Sequence, residues 1–288
     1  MSHTIQQAYN GTVLKLKALH TDAEARAMAD RLFEHYFNLT PVQRVLSGKS
    51  QADEDEISLF EEAVIKLLNH VPLQYVLGSA YFMEMEFMVD SFVLIPRPET
   101  EELVSLIVKY NSAQTKDKNL QILDIGTGSG CIAVSLSHYL AGSLVTAVDI
   151  SQEAIAIAKA NAGKNSTIVN FVCADILDPR QWDALPQANI IVSNPPYVTD
   201  AEKKFMLPNV IDYEPHTALF VPDDDPLLFY RAIMMFSKSK LMNEGMLWLE
   251  INEAFGEEVI SLFDDPKFKV RKLIRDIFGK YRFVMISA

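Results

Sequence analysis

Asn194-Pro195-Pro196-Tyr197 is the stretch of this chain with the most specific chemistry. The side-chain oxygen of Asn194 accepts hydrogen bonds, and the following proline holds Asn194 extended. Pro195 and Pro196 have fixed φ and no N–H, so their carbonyls are free acceptors on a stiff loop. Tyr197 adds an aromatic face. Two rigid acceptors beside a flat platform suit a planar group that carries an NH2, such as an amide or an exocyclic base amine. An ordinary proline turn after a strand would carry the same four residues, so the tetrapeptide alone does not decide.

A second constellation is Asp124-Ile125-Gly126-Thr127-Gly128-Ser129-Gly130. Gly126 and Gly128 let the backbone turn tightly and approach a ligand. Asp149 follows Gly126 by 23 residues, near the spacing at which an acidic side chain holds ribose hydroxyls after a glycine turn. GxGxG is shorter than the dinucleotide pattern GxGxxG and suits a nucleoside ligand without a pyrophosphate. S-adenosylmethionine is such a ligand. Asp175 supplies an acceptor for an adenine amino group, and Ile176 an apolar surface for the ring. A generic glycine turn and a solvated loop aspartate are the plain alternatives.

These residues need a sheet to bring them together. The apolar run Ile190–Ser193 ahead of Asn194 reads as a buried strand, and open α/β sheets place their ligands at the carboxyl ends of strands. From Gln121 onward the pattern alternates. Strands are expected over 121–125, 144–148, 168–172, 190–193 and 246–251, and helices over 129–140, 153–162, 227–241 and 259–263. A strand pair is expected over 268–276 and 282–286. Such alternation implies a mostly parallel sheet covered on both faces, an α/β fold. Residues 4–77 read as a small helical bundle, with capping boxes at Thr21–Glu24 and Thr40–Gln43. The acidic run Asp53–Glu56 suits the start of another helix. Residues 78–95 form a β-hairpin connector, and a helix runs from near Pro96 to Val108. The expected domains are therefore 1–77, 78–95 and 96–288.

Composition excludes several classes. The 288 residues are 49% hydrophobic and 22% charged, which describes an ordinary globular protein. No apolar run approaches the roughly 18 residues of a membrane span, and Met1–Gln7 lacks the pattern of a secretion signal. Two cysteines, Cys131 and Cys173, fit a reducing cytoplasm and are both expected as small buried side chains. The six histidines are scattered, so no metal site is expected. The net charge is −12, and no basic stripe is evident. Direct binding to nucleic acid is disfavoured. Lys267–Lys272 reads as a strand with one solvated face.

Taken together, the chain resembles the HemK/PrmC family, which methylates a glutamine side-chain amide in class I peptide chain release factors. The likeness rests on Pro72–Gly78, Leu94-Ile95-Pro96-Arg97-Pro98-Glu99-Thr100-Glu101, the glycine loop, Asn194–Tyr197 and Tyr213-Glu214-Pro215. It implies a class I S-adenosylmethionine-dependent methyltransferase, a Rossmann-like seven-stranded sheet with an antiparallel last strand. It implies cofactor contacts from Gly126, Thr127, Gly128, Ser129, Gly130, Asp149, Asp175, Ile176 and Asn194. Arg97, Glu99 and Thr100 would lie on the cofactor side. Asn194, Pro195, Pro196 and Tyr197 would hold the substrate glutamine, and the helical bundle would help dock a release factor. Two departures stand out. Phe220–Pro226 carries the acidic run Asp223–Asp225 where the family has a glycine-containing turn, and Asn252 stands where glycine is frequent.

The chemistry expected is displacement at a sulfonium methyl. Asn194 and the Pro195 carbonyl would accept the two amide hydrogens, and Tyr197 would pack on the amide and exclude water. No residue is assigned as a general base. One alternative is a methyltransferase for an exocyclic base amine of DNA or RNA. Another is a nucleoside-binding module without turnover. A cytoplasmic monomer is expected.

Overall fold

The computed structural model describes residues 4–51, 53–112 and 119–288; Met1, Ser2 and His3 of the N-terminal stretch read above lie outside them. The chain divides into two compact units: Met1–Gly78 with Leu207–Tyr213, and Ser79–Met206 with Glu214–Ala288. Residues 207–213, expected within the third domain, thus group with the N-terminal helices. One bond that holds them there runs from the Tyr213 hydroxyl to the Asn69 carbonyl, at 2.6 Å.

The first unit contains α1 (Ile5–Leu16), α2 (Asp22–Phe37), α3 (Pro41–Leu46), α4 (Glu54–Leu68) and α5 (Leu73–Leu77). Thr21 and Thr40 form the expected capping boxes, and Thr4 forms a third with Gln7. Asp53 caps α4 through the N–H groups of Asp55 and Glu56. α1, α2 and α4 each bury an apolar stripe, with Leu16, Leu32, Phe33, Phe60 and Leu67 in a common core.

The second unit opens with the antiparallel hairpin β1 (Ser79–Phe82) and β2 (Met85–Met88), followed by α6 (Pro98–Ser112). Next come β3 (Gln121–Ile125), α7 (Cys131–Tyr139), β4 (Leu144–Asp149), α8 (Gln152–Lys164), β5 (Val169–Cys173) and β6 (Ala188–Ser193). The short strands β7 (Val198–Thr199) and β8 (Phe220–Val221) pair in parallel. Between them lie α9 (Pro208–Ile211), in the first unit, and α10 (His216–Leu219). The chain ends with α11 (Leu228–Lys240), β9 (Leu241–Glu250), α12 (Gly256–Leu262), β10 (Val270–Arg275) and β11 (Tyr281–Ser287).

The main sheet has seven strands in the order β10-β11-β9-β6-β3-β4-β5. β9, β6, β3, β4 and β5 pair in parallel, and β11 runs antiparallel between β9 and β10. This is the expected class I methyltransferase sheet. Successive residues of a strand face opposite sides, and on the inner strands β3, β4, β6 and β9 both sides are largely buried. Ile122, Val145, Val192 and Trp248 pack with residues of α6, α7 and the hairpin. Leu123, Val148, Ile191 and Leu249 pack with residues of α11 and α12. Double burial explains why these strands read as continuous apolar runs.

Two expectations fail at the sheet's edges. Cys131 is buried, but Cys173 is exposed. It ends β5, an edge strand with neighbours on one side only. The strand expected from residue 268 begins at Val270. Lys267 is not part of a strand face, because its ammonium donates to the carbonyls of Ser237, Lys238 and Leu241 at the C-terminus of α11.

Candidate active site

From β3 the chain moves to β4 and β5, then returns to β6 on the other side of β3. The carboxyl ends of β3 and β6 therefore flank a topological switch point, where such sheets open a ligand crevice. The glycine loop follows β3, and Asn194 follows β6. A cavity lies here, lined by Gly126–Ser129, Asp149, Asp175, Ile176 and Asn194–Pro196. Arg97 and Thr100 also line it. Glu99 does not, nor does Gly130.

The glycine loop is shaped by backbone. Gly126 and Thr127 both donate to the Val148 carbonyl, at 2.8 and 2.9 Å, and Gly128 N–H donates to Asp149 Oδ2 at 2.8 Å. Gly126 and Gly128 have φ of +75° and +53°, a region that glycine enters without strain. A Cβ at either would meet no heavy atom within 4 Å. Their bareness leaves room at the cavity wall for a ligand. Gly130 differs: a Cβ there would lie 3.0 Å from that of Ala158. It serves the packing of α7 on α8.

Carboxylates fix the loop's base. Asp124 is fully buried and accepts from the Thr127 hydroxyl at 2.6 Å. Burial pushes its carboxyl up to about 7, although the bond from Thr127 pulls the other way. Asp149 accepts from Gly128 N–H and, at 2.9 Å, from Ser151 N–H. Burial raises its pKa, and these backbone bonds counter the rise. Each of its oxygens keeps a second lone pair for a hydroxyl. Asp175 closes a turn by accepting from Leu177 N–H, beside the buried Ile176. Asn161, unremarkable in sequence, is fully buried on α8. Its NH2 donates to the carbonyls of Ser129 and Met88, and its Oδ1 accepts from Met88 N–H. One side chain thus ties the glycine loop to the hairpin.

A smaller cavity adjoins the first, sharing Leu94, Arg97, Asn194, Pro195 and Ala218 with it. Tyr197 lines only the smaller one, and the glycine loop only the larger. The two spaces meet at Asn194–Pro195.

The walls of this junction are hydrogen-bonded from behind. Asn194 Nδ2 donates to Thr100 Oγ1 at 3.0 Å, and that hydroxyl donates to Glu250 Oε2 at 2.7 Å. The Tyr197 hydroxyl donates to Glu250 Oε1 at 2.9 Å. Glu250 ends β9 and is 1% exposed. Burial pushes its carboxyl up, while the bonds from Thr100 and Tyr197 and the charge of Arg282 pull it back; Glu99 adds a small push upward. Desolvation and the Glu250 carboxylate hold the Tyr197 phenol well above the usual tyrosine range. Arg97 is paired at 2.5 Å with the buried Glu214, which also accepts from Ile95 N–H.

The two departures have structural roles. Asn252 Nδ2 donates to the Tyr197 carbonyl at 3.2 Å and to Glu202. The acidic run is tied into the fold: Asp223 accepts from Ala201 N–H, and Asp225 pairs with Arg231 on α11. Glu250 is the main residue that sequence reading missed. Its signal was present, since it closes an apolar strand just as Asp149 closes β4.

Comparison with known proteins agrees with this architecture. Residues 7–78 match the PrmC N-terminal domain, and residues 105–213 match the methyltransferase small domain. A methyltransferase from Pyrococcus furiosus shares the fold at a TM-score of 0.50 and 16% identity, over 71% of this chain and 89% of that one. The release factor glutamine methyltransferase of Bacteroides thetaiotaomicron is 46% identical over 77% of this chain and 78% of its own. That of Flavobacterium psychrophilum is 41% identical over 96% of each chain. With that identity along almost its whole length, the chain belongs to the release factor glutamine methyltransferase family.

Proposed function

We infer that this chain transfers a methyl group from S-adenosylmethionine to the side-chain amide nitrogen of a glutamine in class I peptide chain release factors. The observation that carries the reading is the junction of the two cavities. A larger space bounded by bare glycines and Asp149 meets a smaller slot beside two acceptors, Asn194 and Pro195. The likeness to named release factor glutamine methyltransferases, near full-length for that of Flavobacterium psychrophilum, supports the choice of substrate. The net charge of −12 favours a protein over a nucleic acid.

S-adenosylmethionine supplies an electrophilic methyl on a sulfonium. Asp149 holds the ribose hydroxyls, Gly126–Ser129 give the backbone wall, and Asp175 with Ile176 takes the adenine. The other requirement is a nucleophile, and an amide nitrogen is a poor one because its lone pair is delocalised. Asn194 Oδ1 accepts one amide hydrogen. Pro195, with no N–H of its own, offers its carbonyl to the other. Two acceptors stabilise charge developing on nitrogen and fix the direction of its lone pair. Tyr197 closes the slot against water. The nitrogen becomes strongly acidic as its new bond forms, so no general base is needed beforehand. The N-terminal helices dock the release factor, and the enzyme acts as a cytoplasmic monomer.

A methyl-transfer assay with labelled cofactor tests the reading. Label should enter a purified class I release factor and stay out of one whose target glutamine is alanine. Label in duplex DNA or ribosomal RNA instead would move the substrate to a base amine.

A further inference from the structure

A side-chain amide has two ends of similar shape and opposite polarity. The role given to Asn194 requires its oxygen, not its NH2, to face the substrate slot. Pro195 and Pro196 fix the backbone but say nothing about which end of the amide points where.

The selection is visible behind the loop. Thr100 Oγ1 lies 2.7 Å from Glu250 Oε2 and 3.0 Å from Asn194 Nδ2. A hydroxyl has one proton to give and lone pairs to receive. Glu250 accepts at both oxygens, from Thr100 and from the Tyr197 hydroxyl, so the Thr100 proton goes to Glu250. The Thr100 oxygen must then receive a proton from Asn194, and only the NH2 end can supply one. Were the amide reversed, two acceptors would face each other at 3.0 Å in a site where Thr100 is 3% exposed. The other carboxylate oxygen takes the Tyr197 hydroxyl at 2.9 Å. One buried carboxyl therefore orients two walls of the slot.

We propose that Glu250, acting through the Thr100 hydroxyl, is the positioning group that sets the orientation of the Asn194 amide and so presents its oxygen to the substrate. The proposal rests on the function inferred above. The residues come from three distant parts of the chain: the start of α6, the end of β6 and the end of β9.

Thr100→Val keeps the shape and removes the hydroxyl, whereas Thr100→Ser keeps the hydroxyl. Two readouts separate positioning from general damage. The first is amide proton exchange at the Asn194 side chain in 15N-labelled protein, with the signal identified by its loss in Asn194→Ala. Slow exchange of one Nδ2 proton is expected in the native chain and in Thr100→Ser, and fast exchange in Thr100→Val. The second is turnover: Thr100→Val should lower kcat about tenfold with cofactor affinity changed less than about twofold, Thr100→Ser should recover most of it, and Thr100→Val should add no loss to Asn194→Ala. Unchanged exchange in Thr100→Val would overturn the proposal. So would a Thr100→Val loss that persists in full without Asn194. If the native chain methylates no release factor, the functional reading fails, and the exchange measurement still decides whether Thr100 orients the amide.

Discussion

The glycine loop and the Asn194 loop share one cleft and are held by different means. The glycine loop is a backbone device. Its shape comes from positive φ, from paired bonds to the Val148 carbonyl, and from a carboxylate 21 residues away on the next strand. The Asn194 loop is stiffened by two prolines, but its working atom belongs to a side chain. That side chain is anchored by Thr100, 94 residues earlier, and by Glu250 beyond it. A loop that only has to cradle a ligand can rely on local geometry. One that must present an oxygen rather than an NH2 needs partners with defined polarity, and the sheet draws them from remote segments.

If the division is right, damage to the two loops should fall on different constants. The largest effect is expected from Asn194→Ala. Loss of a preorganised acceptor at developing charge should cut kcat about 10²–10³-fold, while calorimetry finds cofactor affinity close to that of the native chain. Near-native turnover on a release factor would remove Asn194 from the role given to it. Asp149→Ala should do the reverse. Hydrogen bonds to a charged group are worth about 1.5–3 kcal/mol, so cofactor binding should weaken about 10- to 100-fold. kcat at saturating cofactor should change far less. Unchanged affinity would dissolve the assignment of Asp149 to the ribose.

The same contrast explains what could be read from sequence. Gly126, Gly128 and Asp149 announce themselves because their partners are neighbours on adjacent strands, and strand-helix alternation sets their spacing. The α/β sheet and the helical N-terminal unit were legible for a related reason: period and capping are local signals. The antiparallel last strand was implied only by the family resemblance. Glu250, Asn161 and Glu214 were not legible as partners, since nothing within a few residues of them says what they touch. The exposure of Cys173 was hidden too, because strand order decides which strand lies at the edge.

A smaller effect should divide the glycine loop itself. Gly128 has open space where a Cβ would go, and Gly130 has Ala158 at 3.0 Å. Both have positive φ, so alanine costs about 1–2 kcal/mol of backbone strain at either. Gly130→Ala adds overpacking of about 1–3 kcal/mol. Its denaturation midpoint should therefore fall further than that of Gly128→Ala. Gly128→Ala should instead show the larger loss of cofactor affinity, because its methyl enters the cavity wall. Equal midpoints would mean that α7 and α8 yield at this contact.

The smallest effect is expected behind the Asn194 loop, at Asn252. Its NH2 holds the Tyr197 carbonyl and Glu202, and its Oδ1 accepts from Ala254 N–H. Its backbone, at φ −67° and ψ 128°, suits any residue, so Asn252→Gly removes these bonds without reshaping the turn. The lost hydrogen bonds and cap should lower stability by about 1–2 kcal/mol. The effect on kcat should stay within about threefold, since the prolines fix φ on the substrate side and Glu250 still holds the Tyr197 hydroxyl from below. Glu202 keeps its bonds from Thr199, which limits the disturbance further along the chain. A drop in kcat as large as that of Thr100→Val would show that the loop's carbonyl side needs holding as much as its amide. The Asn194 loop would then depend on remote side chains at both ends, and the contrast with the glycine loop would widen.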